Sequence, residues 1–270
     1  MVTIHVGCQT YTWEMLGNKW KGNVEDILKA ISDAGYSGIE ITNTMIGKYY
    51  NSPESFGEVL KKYGLEFPAL GFVPLHGFTD SGFKDEEISE AIRGIDFVSH
   101  FQGCRLVLAG GSTKARDNIE NKFETMCTIY NKVAEIALKK DVPVDVHAHS
   151  HAGSIIETEE EYDKLMKMTD ESLVGWNPDT GHIVRGGVDL LYLLRKHKSR
   201  ITHLHFKDVS NNGKWKLMGK GICNFNDVLL LLQEIDFNGW IICEEESEDA
   251  RNDQFGSILK NRKYIASLGF

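Results

Sequence analysis

The sequence predicts a (β/α)8 barrel, an α/β fold occupying residues 1–270 as one domain. Three observations point there. Short apolar runs alternate with longer stretches of helical periodicity, eight times over. The eight units share 270 residues, about 34 each, with no low-complexity linker and only five prolines. The short runs are almost continuously apolar, as strands of a parallel sheet covered on both faces must be. An open doubly wound sheet is the alternative, but eight repeated strand–helix units favour closure.

The elements follow in order. Ile4 to Thr10 is the first strand, followed by Tyr11-Thr12-Trp13. Val24, Ile27, Leu28 and Ile31 share one face of a helix over Asn23–Ala34, with Asn23 placed to cap its start and Gly35 its end. Gly38–Thr42 is the second strand. Pro53 opens a helix that closes before Gly64. Phe67–Val73 is the third strand, and Asp85–Phe101 the helix after it. Arg105–Ala109 is the fourth, ending in Gly110-Gly111-Ser112, which reads better as a tight turn than as a phosphate loop because no GxGxxG is present. A long helix is expected from about Ala115 to Lys139. The fifth strand runs to His149, its residues alternating so that Val144, Val146 and Ala148 share one face and Asp145, His147 and His149 the other. Thr158–Met168 is helical. The remaining strands are Leu173–Pro178, Ile201–Lys207 and Trp240–Glu244, with helices over Val188–Lys196, Asn226–Ile235 and Asp253–Leu268.

Composition narrows the function. Hydrophobic residues make up 41% and charged residues 26%, values of a globular chain. A net charge of −9 argues against nucleic acid or an anionic membrane as partner, and leaves a small molecule. The five cysteines are scattered, odd in number and without a CxxC, so buried reduced thiols are expected. The first residues show neither a basic nor an apolar leader pattern, and no run of 18 apolar residues occurs. A cytoplasmic location is therefore expected, with homo-oligomerisation left open.

Chemistry in such barrels sits at the C-terminal ends of the strands. There the fifth strand brings His149 and His151, the sixth Asp179 and His182, the seventh His203 and His205, and the eighth Glu244, Glu245 and Glu246. Taken singly, each has an ordinary reading: a satisfied core histidine, a helix-capping aspartate, a solvated acidic end. Four consecutive strand ends carrying such groups point instead to a divalent cation, since mixed imidazole and carboxylate ligands suit Mn²⁺, Co²⁺, Fe²⁺ or Zn²⁺.

The segments His149-Ser150-His151-Ala152-Gly153-Ser154, Asp179-Thr180-Gly181-His182, His203-Leu204-His205-Phe206-Lys207-Asp208, Met218-Gly219-Lys220-Gly221 and Gly239–Glu244 make the chain similar to the xylose-isomerase-like barrel superfamily. Its members include sugar isomerases and epimerases, inosose dehydratases and endonuclease-type barrels, and the motifs look most like the dehydratases. The resemblance implies one divalent metal, Mn²⁺ first and Co²⁺, Mg²⁺, Fe²⁺ or Zn²⁺ as alternatives, held by His149, Asp179, His205 and Glu244. At the fifth strand most isomerases and epimerases carry Glu, where this chain carries His149; His147 and His151 compete for that role. Epimerisation by proton transfer on both faces uses two metal-bound glutamates, and only Glu244 remains here. The implied reaction is therefore a lyase step on a keto-sugar or keto-inositol, removing the proton α to a carbonyl and eliminating a β-leaving group through a metal-stabilised enediolate. Glu244 is the candidate base. His182 and Lys207 are candidates for protonating the leaving group or orienting substrate, although Lys207 could simply pair with Asp208. Glu40, Trp13 and His151 are candidate substrate contacts, with Phe72 as a further apolar wall; for Glu40 the ordinary reading is a charge paired inside the core. An isomerase or epimerase is the alternative, and an endonuclease-type barrel or a non-catalytic sugar-binding subunit is disfavoured.

Overall fold

A computed structural model describes residues 3–270. Eight parallel strands, each followed by helix, give the (β/α)8 TIM-barrel fold. They are β1 (Ile4–Gln9), β2 (Gly38–Thr42), β3 (Glu66–Phe72), β4 (Arg105–Ala109), β5 (Val144–His147), β6 (Val174–Trp176), β7 (Leu204–Phe206) and β8 (Gly239–Cys243), hydrogen-bonded in the order β6-β5-β4-β3-β2-β1-β8-β7. The principal helices are α1 (Val24–Asp33), α2 (Pro53–Tyr63), α3 (Lys84–Val98), α4 (Ile119–Leu138), α5 (Glu159–Met168), α6 (Thr180–Arg185), α7 (Leu190–Lys196), α8 (Phe225–Glu234) and α9 (Gln254–Ser267). The chain forms two compact units, residues up to Pro68 with His203–Phe270, and Ala69–Thr202.

In the first unit β1 lies between β2 and β8, with Cys8 opposite Cys243 and Gln9 opposite Glu40; β8 in turn sets Ile242 opposite His205 of β7. The helices close on this sheet as their periodicity requires. Ile27, Leu28 and Ile31 of α1 are fully buried, and Asn23 with Asp26 completes a reciprocal cap that satisfies the first free amides.

In the second unit β4 pairs with β3 and β5, and β5 with β6, so that Ala109 faces His147 and Val146 faces Trp176. Polar groups are buried toward the strand starts. Arg105 Nη1 is 2.5 Å from Asp145 Oδ2, and Thr202 Oγ1 donates to Asp145 Oδ1 at 2.6 Å. Gly175 is the residue opposite Asp145, and a Cβ there would come within 2.1 Å of Asp145 Oδ1 and 2.3 Å of Thr202 Oγ1. Only glycine leaves room for this network.

The structure departs from the sequence reading mainly at strand ends. β5 stops at His147, two residues before the expected end, and β6 stops at Trp176, because Asn177–Pro178 turns the chain into α6, capped by Asp179. α4 starts at Ile119 rather than near Ala115. α6 is absent from the helices read from periodicity, and its capping by Asp179 matches the ordinary reading of that residue as a helix cap. All five cysteines are buried, and none forms a disulfide. No helix among the described residues is long and apolar enough to cross a membrane.

Candidate active site

In the first unit the site grows from β2, β7 and β8. Glu40, His203, His205, Lys207 and Glu244 are each at most 5% exposed. Glu40 Oε2 lies 3.0 Å from His203 Nε2, and its Oε1 lies 2.9 Å from His205 Nε2. His205 Nδ1 reaches Glu244 Oε2 at 2.8 Å, and Lys207 Nζ donates to Glu244 Oε1 at 2.9 Å. Lys207 also pairs with Glu246, and its ammonium lies over the Trp215 ring, 4.2 Å from the centroid. Trp215 is presented by a two-stranded hairpin in which Asp208–Val209 pairs antiparallel with Trp215–Lys216. Burial alone drives the His205 imidazole down, but the Glu40 and Glu244 carboxylates outweigh it and push it up to about 10. Burial likewise raises Glu40, and the His205 and His203 imidazoles overcome that and hold the carboxyl well below the usual carboxylate range.

Several sequence-derived candidates acquire definite partners here. Glu40 is the core charge of the ordinary reading, joining two imidazoles. Lys207 pairs with Glu244 and Glu246, while the Asp208 carboxylate accepts from the amides of Val209, Gly221 and Cys223 and so folds the Met218–Gly221 loop. The three glutamates after β8 divide their duties. Glu244 and Glu246 meet Lys207, while Glu245 accepts from Ser247 N and Asn261 Nδ2. Trp13 is buried in the short helix Tyr11–Glu14.

In the second unit β5 and the start of α6 assemble the imidazoles. His147, His149 and His182 bring ring nitrogens within 4.8 Å of one another, and His147 and Asp179 are equally close. Asp179 Oδ1 caps α6 by accepting from His182 N at 2.6 Å. His182 Nδ1 accepts from the amide of Ser150 at 2.9 Å. A backbone amide can only donate, so the proton of a neutral His182 resides on Nε2. His147 Nδ1 is 3.3 Å from Asn177 O. Asn177 itself is fully buried, and neither side-chain polar atom has a hydrogen-bond partner. His151 is exposed and stacks on His149 at 5.1 Å between centroids. Phe72 is buried against Phe78. Sequence reasoning missed Ser150, Asn177 and the orienting part of Glu40; none carries a local signal, since Glu40 and His203 are 163 residues apart.

The comparisons with known proteins follow this geometry. A family model described as xylose isomerase-like TIM barrel matches residues 28–267. An inosose dehydratase of Bacillus cereus (strain AH820) is 27% identical, over 97% of this chain and 96% of that protein. Among solved structures, the IOLI protein with a binding zinc atom superposes with TM-score 0.82 at 18% identity, covering 98% of this chain and 97% of the other. The apo form of 3-keto-D-glucoside 4-epimerase, YcjR, from E. coli gives 0.76 at 15% identity, covering 98% and 99%. At those identities the two structures share the fold.

Proposed function

From the premise that this chain belongs to the xylose isomerase-like TIM barrel family, we propose that it is a divalent-metal-dependent lyase acting on a keto-sugar or keto-inositol. It removes the proton α to the carbonyl and expels a β-leaving group, water or an aglycone. The inosose dehydratase relative, matched over almost its whole length, supports this substrate class. The observation that carries the reading is the buried Glu40–His205–Glu244–Lys207 chain: one carboxylate, Glu244, bonded on one oxygen to an imidazole and on the other to an ammonium.

That donor set fits a divalent cation. His205 Nδ1 and Glu244 Oε2 share a proton across 2.8 Å, a place where a cation can substitute for the proton, and Glu40 on the opposite nitrogen orients the ring, as carboxylates behind metal-bound imidazoles commonly do. We propose His205, Glu244, Asp179 and His147 as the ligands. His147 takes the role expected of His149 because it belongs to β5 itself, is buried, and lies within 4.8 Å of Asp179. Nitrogen and carboxylate ligands accept Mn²⁺ and Zn²⁺ alike; the IOLI neighbour was solved with zinc. When bound, the cation polarises the substrate carbonyl.

The chain's own residues do the proton work. Glu244 takes the α-proton. Lys207 orients that carboxylate and, as an ammonium, gives a proton to the leaving oxygen, which the neutral His182 hydrogen-bonds through Nε2–H; the proton gained by Glu244 restores the lysine it contacts. The epimerase reading, suggested by the 3-keto-D-glucoside 4-epimerase neighbour, needs a base on each face. β5 ends in histidine where a second glutamate would serve.

The test is incubation with keto-inositol and 3-keto-glycosides in D₂O with Mn²⁺, followed by NMR and mass spectrometry. Loss of water or aglycone is expected; a new stereoisomer carrying deuterium, with nothing eliminated, would replace the lyase by an epimerase. Metal analysis of His147→Ala beside His149→Ala decides the β5 ligand, the first losing bound metal and the second keeping it.

A further inference from the structure

The second unit holds a cavity of about 850 Å³ beyond the ends of β3, β4 and β5. It stands near the upper end of the roughly 300–1,000 Å³ that small-molecule sites occupy, and is larger than one six-membered ring requires. One wall is an aromatic platform. His76 lies flat on Phe83, with centroids 3.8 Å apart and planes 12° apart, and His76 Nε2 is 3.5 Å from Glu86. Phe83 is 40% exposed and the neighbouring Leu75 65%, an apolar surface left uncovered. The lining also carries hydrogen-bonding groups, among them Thr113, Lys114, Asn121 and His151.

The platform is held rigidly. Glu87 of α3, 1% exposed, accepts from the amides of Leu75, His76 and Phe78 at 3.2, 2.7 and 3.3 Å. Gly77 and Phe78 both have positive φ, 76° and 61°. For a phenylalanine this is an unfavourable backbone region, kept only where the surroundings enforce it. Ser112 provides the second restraint: its amide donates to Gly77 O at 2.9 Å, and its carbonyl accepts from Thr79 Oγ1 at 2.7 Å. A Cβ on Gly77 would stand 2.4 Å from that carbonyl oxygen. The cavity also adjoins the imidazole group, because His151, which lines it, stacks on His149, and His149 meets His182 edge-on at 5.1 Å.

We propose that this cavity is a subsite for a second ring carried by the substrate, a hydroxylated ring whose C–H or π face stacks on His76–Phe83 while its hydroxyls reach the polar wall. The proposal rests on the keto-sugar reading and narrows it from free monocyclic substrates to ring-bearing glycosides. A second sugar and a hydroxylated aryl aglycone share this chemistry, so both are tested.

The experiment is isothermal titration calorimetry of the full chain with myo-inositol, cellobiose and 4-hydroxyphenyl β-D-glucoside. Wild type is expected to bind at least one two-ring probe more tightly than myo-inositol, and which one names the ring. Phe83→Ala should lower that affinity ratio by roughly fivefold to tenfold, the size of one aromatic contact. Ala152→Trp, which puts an indole at another residue of the lining, should lower it too. Equal binding of all three probes by wild type, no binding of any, or a ratio untouched in both variants would overturn the subsite. Turnover in D₂O separates the two ideas. Elimination from keto-substrates with a ratio that ignores both Phe83→Ala and Ala152→Trp keeps the lyase and removes the subsite; a ratio that responds, in a protein that eliminates nothing, does the reverse.

Discussion

At the scale of single residues, the sequence showed which side chains mattered but not whom they would meet. The histidines and acids after β5 to β8 stood out because several fall together, three of ten histidines within residues 147–151. Glu40 gave no such signal, since its two imidazole partners come from β7. Glu244→Gln keeps the size of the side chain and one oxygen for a cation but removes the basic charge. It is expected to lower the elimination rate by roughly two to four orders of magnitude and to stop exchange of the α-proton with solvent, which NMR in D₂O reads directly. Persistence of exchange in that variant would move the base to another residue. Gly175 makes a prediction about stability alone. Gly175→Ala drives a methyl into Asp145 Oδ1 and Thr202 Oγ1, disturbing a buried ion pair as well as overpacking the site. A loss of about 2–4 kcal/mol is expected, measured by urea unfolding; an unchanged midpoint would mean that Asp145 can move aside at little cost.

At the scale of elements, periodicity located every barrel strand and all the long helices, because it is a local property, but not the two-residue strands of the Asp208–Lys216 hairpin. β2 and β4 have the bounds the sequence predicts. It misplaced ends where capping decides. β6 is only three residues long, and α6, six residues long, is too short to show a helical stripe. The late start of α4 has a physical reason in the loop before it: Thr113 N donates to Gly153 O and Ser112 bridges to Ser154, so the chain is still bound to the loop after β5. The loop after β3 depends on one carboxylate of α3. Glu87→Ala leaves three amides without their acceptor, a cost of about 1–3 kcal/mol. Hydrogen exchange at Leu75, His76 and Phe78 should accelerate while the amides of β4 keep their protection. Uniform acceleration would show that Glu87 supports the whole unit and not this loop.

At the scale of the whole molecule, the fold was legible because it needs only the repetition of apolar strand and amphipathic helix. The identity of the proposed metal was not, because imidazole–carboxylate sets accept several ions. The same contrast sets an expectation for metal removal. The core holds Ile, Leu, Val and Phe on all eight strand–helix units, an apolar interior that a 270-residue chain assembles without an ion. Chelation should therefore abolish turnover while far-ultraviolet dichroism at room temperature stays as it was. Loss of the helical signal on chelation would show that the ion is part of the folding unit.

The hairpin that sets Trp215 over the Lys207 ammonium also gives the protein an optical reporter. An indole with a cation 4.2 Å from its ring centroid emits in a field set by that charge. Whatever draws Lys207 toward a ligand alters the field and hence the fluorescence. Titration with a metal ion or a keto-sugar should then shift the emission. The chain has five tryptophans, so the Trp215→Phe spectrum, subtracted from wild type, isolates the responding one. Occupancy of the site becomes visible in real time, before any product has formed.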